Sequence, residues 1–182
     1  MRRSGCLSAL LSMLFYAAVL TVLAWFGFQA YQHAMDYRAI AERDDAVGKA
    51  WEADPTALAK AAAGTAGVRP EGLSAQPFQQ VGARPTTRYA GSGTALTLTT
   101  THMTCEPAPL AVTVVETPLL VSVLVHVDRP WLPPVSQWWQ DFRAPKACVN
   151  VAKPAVQKVT LTSELGRRVL VDSVSGASVQ GP

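Results

Sequence analysis

The chain has 182 residues, with 16 lysines and arginines against 13 aspartates and glutamates, for a formal net charge of +3. The charges are spread along the chain, and Arg167 and Arg168 are the only adjacent basic pair after the first residues. Nucleic acid binding requires a clustered basic face, so we expect no nucleic acid partner. His33, His102 and His126 lack Cys or carboxylate neighbours at metal-ligand spacing, so we also expect no metal site.

The N-terminal region predicts a single membrane span at residues 7–30. No charged residue occurs from Ser4 to Met35, and Arg2 and Arg3 stand just before this stretch. Its strongly apolar part, Leu7 to Phe28, reaches roughly 33 Å as a helix, which matches a hydrocarbon core of about 30 Å. A cleaved secretory signal is the alternative, but the run is too long and no small-x-small site follows it. We therefore favour an uncleaved anchor.

The orientation of the anchor follows from its flanking charges. The positive-inside bias keeps residues 1–6 in the cytoplasm and exports everything after the span. Cys105 and Cys148 lie in the exported part, where one disulfide would stabilise the fold by about 4 kcal/mol. Two unrelated buried thiols are the alternative. Cys6, at the membrane edge, is expected to pack in the helix or carry a fatty acyl chain.

The anchor itself offers positions for close helix packing. Ser8 and Ser12, and likewise Ala17 and Thr21, have the small-xxx-small spacing that lets helix backbones approach each other. We expect these four residues to contact lipid or other membrane helices.

Residues 31–63 predict an amphipathic helical stalk that continues the anchor. Ile40, Val47 and Trp51 fall within about 40° of one another on a helix, and the charged residues, Asp44 among them, are assigned to the other faces. So narrow an apolar stripe needs a packing partner. Either the protein's own domain or neighbouring subunits could supply it.

The stalk is expected to be divided near Pro55. Asp54 and Pro55 are typical of a helix cap and a first helical position, and the alanine run to Ala63 continues that second helix to Gly64. The following stretch, residues 64–93, is rich in Gly, Pro, Thr and Ser, which predicts a connector with at most a short strand or turn.

From residue 94 onward apolar residues recur at every second position, the period of a β-strand. The alternating residues predict three strands, with Leu96 and Leu98 in the first, Leu110, Val112 and Val114 in the second, and Leu119, Val121, Val123, Val125 and Val127 in the third. Ser122, His126 and Asp128 occupy the other face of the third strand, which we expect to be largely open.

The C-terminal part predicts a closing hairpin and then a tail. Val159 and Leu161, followed by Val169 and Val171, alternate as two paired strands with Gly166 in the turn. The expected fold is therefore α+β. It has a transmembrane helix extended by a stalk, then a small antiparallel sheet over residues 94–172 with one disulfide and the stalk covering one side. Residues 173–182 are small and polar, which predicts disorder.

An insert at residues 129–146 interrupts the predicted sheet. It reads RPWLPPVSQWWQDFRAPK, and its prolines exclude a central strand or a long helix. Trp131, Trp138, Trp139 and Phe142 are expected either to close the end of a small core or to contact a partner or the lipid headgroups.

No catalytic motif is recognisable in the chain. His126 and Asp128 share one predicted strand face, but a period of two produces such pairs constantly, and no GxSxG turn or cysteine nucleophile accompanies them. We expect a noncatalytic protein without a cofactor or a small-molecule substrate.

The order of these parts resembles the TadE-like minor pilins of tight-adherence pili. The resemblance rests on the basic start RRSG, the apolar helix with its stalk and alanine-rich second helix, the strand VSVLVHVDRPWLPP and the closing VTLTSELGRRV. In that family a glycine before the apolar segment marks prepilin peptidase cleavage, and Gly5 matches it. Leu10 stands where the family has a glutamate. The resemblance implies an assembly subunit in the bacterial inner membrane or a surface filament, with a periplasmic or extracellular β domain and pilin-like helices as partners.

Two hypotheses follow from the sequence. The first is a pilin-like or pseudopilin-like subunit of a bacterial envelope filament or assembly. The second is a bitopic accessory subunit of a secretion or conjugation complex, which docks a partner through its exported β domain.

Overall fold

The structure, a computed structural model, describes residues 4–74, 76–79, 82–104, 110–128 and 151–181, with side-chain surroundings from residue 11. Within these residues two helices precede seven strands. Their bounds are α1 Ser4–Ala53, α2 Pro55–Ala62, β1 Thr86–Ser92, β2 Ala95–Met103, β3 Leu110–Glu116, β4 Leu120–Val127, β5 Ala152–Thr160, β6 Val169–Asp172 and β7 Ala177–Ser178. The fold is α+β.

Anchor and stalk form one continuous helix. α1 has 50 residues without a proline, so at about 1.5 Å per residue it is roughly 75 Å long. It ends at Ala53 because Asp54 caps the next helix, accepting a hydrogen bond from the Ala57 amide at 2.9 Å, and Pro55 occupies the first helical turn. The division near Pro55 is thus where the capping residues predict it.

The strands form two sheets rather than one. β1, β2 and β5 form an antiparallel sheet in the order β1-β2-β5, and the second sheet has the order β3-β4-β6-β7. In the second sheet β6 runs parallel to β4. We define the two sheets as the outer sheet (β1-β2-β5) and the inner sheet (β3-β4-β6-β7).

The predicted closing hairpin is wrong. Val159 lies in β5 of the outer sheet, whereas Val169 and Val171 lie in β6 of the inner sheet. The connection between them crosses from one sheet to the other instead of turning back. Alternation of apolar residues indicates that a segment is a strand, but it does not show which strand pairs with it. The hairpin was predicted because the two segments are close in sequence, although they pair with strands of different sheets.

The inner sheet is covered on both faces, which corrects the expectation of one open face. Every residue of β4 is buried. Val121 and Val123 pack with Leu96 and Leu98 of the outer sheet. The alternate residues of β4 face the stalk, as Leu124 does in its cluster with Ile40. The layers are therefore stalk, inner sheet and outer sheet.

The C-terminal end of the chain is more ordered than predicted, whereas the connector contains the short strand β1 from Thr86, which its sequence allowed. The supposed tail contains β7, its Ser173 and Val174 are buried, and the Phe78 amide donates to the Val174 carbonyl at 2.8 Å. The prediction of disorder was wrong because the small polar residues form buried hydrogen bonds rather than solvated ones.

Several predicted features lie outside the described residues. These are Cys105, Cys148 and their disulfide, and Trp131, Trp138, Trp139 and Phe142 of the insert. Their predictions stand as made.

Candidate functional site: the anchor helix and its junction with the β domain

The N-terminal half of α1 is apolar, and almost all of its described side chains are exposed around the helix. Its large side chains are 43 to 74 % exposed at positions such as Met13, Phe15, Leu20 and Trp25. Within the described residues, α1 is the one helix long and apolar enough to cross a membrane. So much exposed apolar surface is stable only against lipid or against other apolar helices.

The small residues of the anchor are accessible from outside the chain. Ser12, Ala17 and Thr21 are exposed, and Thr21 donates its hydroxyl to the Ala17 carbonyl at 2.8 Å. That bond satisfies the hydroxyl within the helix, so the surface it presents to a neighbour is small and apolar. Gly5 and Ser8 lie on the helical backbone of α1.

The apolar stripe of the stalk packs against the protein's own β domain. Ile40, Val47 and Trp51 are 3 %, 0 % and 0 % exposed. Val47 and Trp51 pack with Leu120 of β4 and with residues of β6 and α2, while Ile40 packs with Leu124. Of the two partners that the sequence allowed, the protein's own domain is the one that covers this stripe.

A turn between β6 and β7, residues 172–176, is held by hydrogen bonds from the stalk. Arg43 donates from Nε to the Ser173 carbonyl at 2.7 Å and from Nη2 to the Val174 carbonyl at 3.2 Å. Trp51 donates from Nε1 to the Gly176 carbonyl at 3.1 Å. Two stalk side chains thus donate hydrogen bonds to three carbonyls of one turn. These bonds fix the angle and register of the domain on α1.

A buried polar cluster lies beside this turn. Asp44 Oδ1 accepts hydrogen bonds from Ser122 Oγ at 3.4 Å and from Ser173 Oγ, and the two serine hydroxyls also contact each other. Asp44 is 4 % exposed, which corrects its assignment to a solvent-facing side of the stalk. Burial raises the pKa of Asp44, although the bonds from the two serines and nearby Arg43 oppose the shift.

A second buried carboxylate, Asp172, accepts hydrogen bonds at the start of the turn. Asp172 accepts from the Thr86 amide at 3.1 Å, and from the amide and hydroxyl of Ser175 at 2.8 and 2.6 Å. Burial raises the pKa of Asp172, and these hydrogen bonds oppose that shift. Burial also lowers the pKa of Arg43, and the charge of Asp172 opposes it. The cluster is therefore an interior, water-poor contact between α1 and the domain.

The end of the junction nearest the apolar half of α1 carries aromatic and histidine side chains. His33 and Tyr37 have ring centroids 4.7 Å apart, and Tyr37 lies 6.3 Å from the ring of His126. His126 is buried, with Nε2 3.3 Å from Thr113 Oγ1 and Nδ1 3.3 Å from the Val127 carbonyl. Both of its nitrogens have neighbours in the fold, so its surroundings give no support to a base oriented by Asp128.

The opposite end of the domain is held by one ion pair. Glu116 Oε2 accepts from Arg168 Nη1 at 2.9 Å, and Arg168 Nη2 donates to the Ser163 and Glu164 carbonyls at 2.7 Å each. The Thr162 amide donates to Glu116 at 2.5 Å. That amide first, and then Arg168, lower the pKa of Glu116 to about 2. The pair fixes the crossing between the two sheets.

The sequence interpretation did not identify this junction as a polar contact. It singled out Ile40, Val47 and Trp51 but not Arg43, Asp44 or the turn at residues 172–176. A usable signal was present, because Asp44 is four residues after Ile40 and three before Val47, on the side of the helix that those residues define.

Comparisons with known proteins found no relative. No model of a known family, no curated protein and no solved structure matches the chain.

Proposed function

We propose that this chain is a noncatalytic, membrane-anchored subunit of a bacterial envelope filament or assembly, of the pilin-like or pseudopilin-like kind. The observation that carries the proposal is the contrast between the two halves of α1. The first half buries none of its apolar window, while the second is packed on the protein's own domain. A rigid helix of this kind positions its domain relative to whatever surrounds the anchor.

The location follows from the same helix. The anchor crosses the bacterial inner membrane once, with Arg2 and Arg3 on the cytoplasmic side and the β domain periplasmic or extracellular. Its partners are lipid and the helices of other membrane or pilin-like subunits, which contact Ser8, Ser12, Ala17 and Thr21. In an assembled filament, neighbouring helices would replace lipid around the same apolar surface.

Mass spectrometry of the N-terminus of the cellular protein tests the subunit proposal. A pilin-like precursor is cut after Gly5, so the mature chain should begin at Cys6 and should copurify with an assembled filament or membrane complex. A chain that begins at Met1 and is found in no assembly would contradict the proposal. The N-terminus needs to be measured because Leu10 stands where the TadE-like minor pilins have a glutamate, so the match to the family's cleavage region is incomplete.

The alternative function is a bitopic accessory subunit that docks a partner through its β domain. Its support is the aromatic insert, since tryptophans are favoured anchors at protein interfaces. The described residues that flank the insert are Asp128, after the end of β4, and Val151, whose carbonyl accepts from the Thr104 amide at 3.0 Å. These flanking residues lie next to β4 of the inner sheet and β5 of the outer sheet.

Exchange of Trp138 and Trp139 for Ala separates the two functions. An accessory subunit would lose its copurifying partner and keep its uncut N-terminus in the membrane. A pilin-like subunit would keep its helix-mediated copurification. Exchange of exposed Val156 for Ala on β5 is the control, since it removes apolar surface outside the insert.

A further inference from the structure

The two outermost layers of the exported part carry different charges. The strands of the outer sheet contain Arg88, Lys153 and Lys158 and no aspartate or glutamate. The part of the stalk that belongs to α1, on the opposite side of the domain, carries three exposed carboxylates, Glu42, Asp45 and Glu52, against two exposed bases, Arg38 and Lys49. A cationic face and an acidic face therefore lie back to back across the inner sheet.

The solvent face of the outer sheet carries two cations, Arg88 and Lys158, and its strands contain no carboxylate. Leu96 and Leu98 point into the core, so the alternate residues of β2, Thr97 and Thr99, point outward. Arg88 pairs in register with Thr99, and Lys158 pairs with Thr97. Both cations thus stand on the outward face, and both are exposed. Neither has an ion-pair partner among the described residues.

The solvent face of the stalk is a narrow charged ridge. Arg38 pairs with Glu42 at 2.8 Å and Lys49 with Asp45 at 2.7 Å, each four residues apart on the helix. Glu52 lies on the same face and has no ion-pair partner within the described part of the chain. The ridge therefore keeps one unneutralised carboxylate, opposite in direction to the buried Val47.

We propose that a second copy of this chain docks its stalk ridge on the outer sheet of the first, with Lys158 and Arg88 facing Glu52 and Asp45. This inference rests on the proposed assembly function, because the docking requires two copies whose anchors lie parallel in one membrane. The cations lie two strands and two residues apart, or about 12 Å. The carboxylates are seven helical residues apart, or about 10.5 Å. The two separations match, so in one docked copy Lys158 can face the unpaired Glu52 while Arg88 faces Asp45, which also pairs with Lys49 of its own helix.

The two faces differ, so the contact is heterologous. Each copy keeps one free sheet face and one free stalk ridge after docking, and further copies add in the same direction. Exposed ion pairs contribute little affinity each, so the charges select the orientation while the anchor helices supply most of the association.

Zero-length carbodiimide coupling between two differently tagged full-length copies, coexpressed in bacterial membranes, tests this contact. The reagent joins an amine only to a carboxylate it already touches. We expect an intermolecular product that links Lys158 to Glu52 or Asp45, identified by mass spectrometry after purification on one tag. Links from Lys158 to carboxylates outside the ridge, or no link, would overturn the proposal.

Charge exchange makes the test specific. Lys158→Glu and Glu52→Lys should each lower the yield of coupled copies at least fivefold, and the double variant should restore it. Lys153→Glu is the matched control, because this lysine is exposed on the same strand but alternates to the other side, and its yield should be unchanged. Failure of the double variant to recover would contradict the docking.

Copurification of the two tags without coupling distinguishes the two proposals. If the tags copurify and the Lys158 link is absent, the docking surface is wrong and the subunit assignment stands. If the tags do not copurify at all, the assembly function fails and the docking fails with it.

Discussion

Trp51 of the stalk and Gly176 of the last turn are 125 positions apart in the chain, and the indole Nε1 donates to the glycine carbonyl at 3.1 Å. The indole is fully buried. Gly176 has a positive φ of 73°, and a Cβ at this position would lie 2.2 Å from Leu73. Glycine is therefore required where the turn passes between the connector and the stalk. This contact fastens the C-terminal end of the chain to α1.

Trp51→Phe is expected to destabilise the fold by about 1–3 kcal/mol, because it leaves the buried carbonyl of Gly176 without its donor. Trp51→Ala adds a cavity and should cost about 3–5 kcal/mol. Urea unfolding of the full chain in detergent micelles, followed by pulse proteolysis, measures both. Trp25→Phe in the exposed anchor is the control and should leave the free energy of unfolding unchanged. A Trp51→Phe loss below about 0.5 kcal/mol would show that the hydrogen bond is dispensable.

The buried Asp44 should make the junction more stable in mild acid. Its pKa is raised on folding, so the folded state binds the proton more readily than the unfolded state. The free energy of unfolding contributed by Asp44 therefore rises as the pH falls from above its folded pKa towards the ordinary value of 3.8. Asp44→Asn should reduce this pH dependence, and Asp45→Asn on the exposed ridge should not. Equal pH profiles for the wild type and Asp44→Asn would contradict the account.

Glu116 should act in the opposite direction. Its pKa falls from 4.5 to about 2 on folding, so its contribution is present above pH 4.5 and is lost as the pH drops towards about 2. Glu116→Gln removes the charge that pairs with Arg168 and leaves one neutral oxygen in place of two charged ones to accept from the Thr162 and Ser163 amides, so we expect faster hydrogen exchange at both amides at neutral pH. Glu164→Gln is the control, because only the backbone carbonyl of Glu164 bonds Arg168. Unchanged exchange at Thr162 would rule out this role of the carboxylate.

Ser12→Leu is expected to weaken self-association in the membrane, because the larger side chain keeps neighbouring helix backbones apart. Crosslinking of the anchor in native membranes measures the effect, and a fall of several-fold in yield is expected. Leu14→Ile keeps the size of an exposed apolar residue and serves as the control. A yield for Ser12→Leu equal to the wild type would remove this face from the interface.

The helices could be predicted from the sequence more completely than the pairing of the strands. The division at Pro55 was predictable because Asp54 caps locally, and the stripe of Ile40, Val47 and Trp51 was predictable because helical periodicity is local. The parallel pairing of β6 with β4 was not, since it depends on a crossing held by Glu116 and Arg168.

The candidate site was predicted only in its apolar half. Asp44 is charged, and charged residues are almost never fully buried unless they are paired. Its partners, Ser122 of β4 and Ser173 of the turn after β6, lie far along the chain, so no local sequence pattern indicates them. The same holds for the turn at residues 172–176, whose small polar residues are as typical of a solvated tail as of a buried turn.

Membrane fractionation of the intact chain, combined with protease accessibility, tests the central claim most directly. We expect the chain to stay in the membrane after alkaline carbonate extraction. We also expect protease added to the periplasmic side to digest the β domain and to leave the N-terminus protected. Recovery of the chain in the soluble fraction as a monomer, with the apolar segment from Leu7 to Phe28 intact, would contradict membrane anchoring.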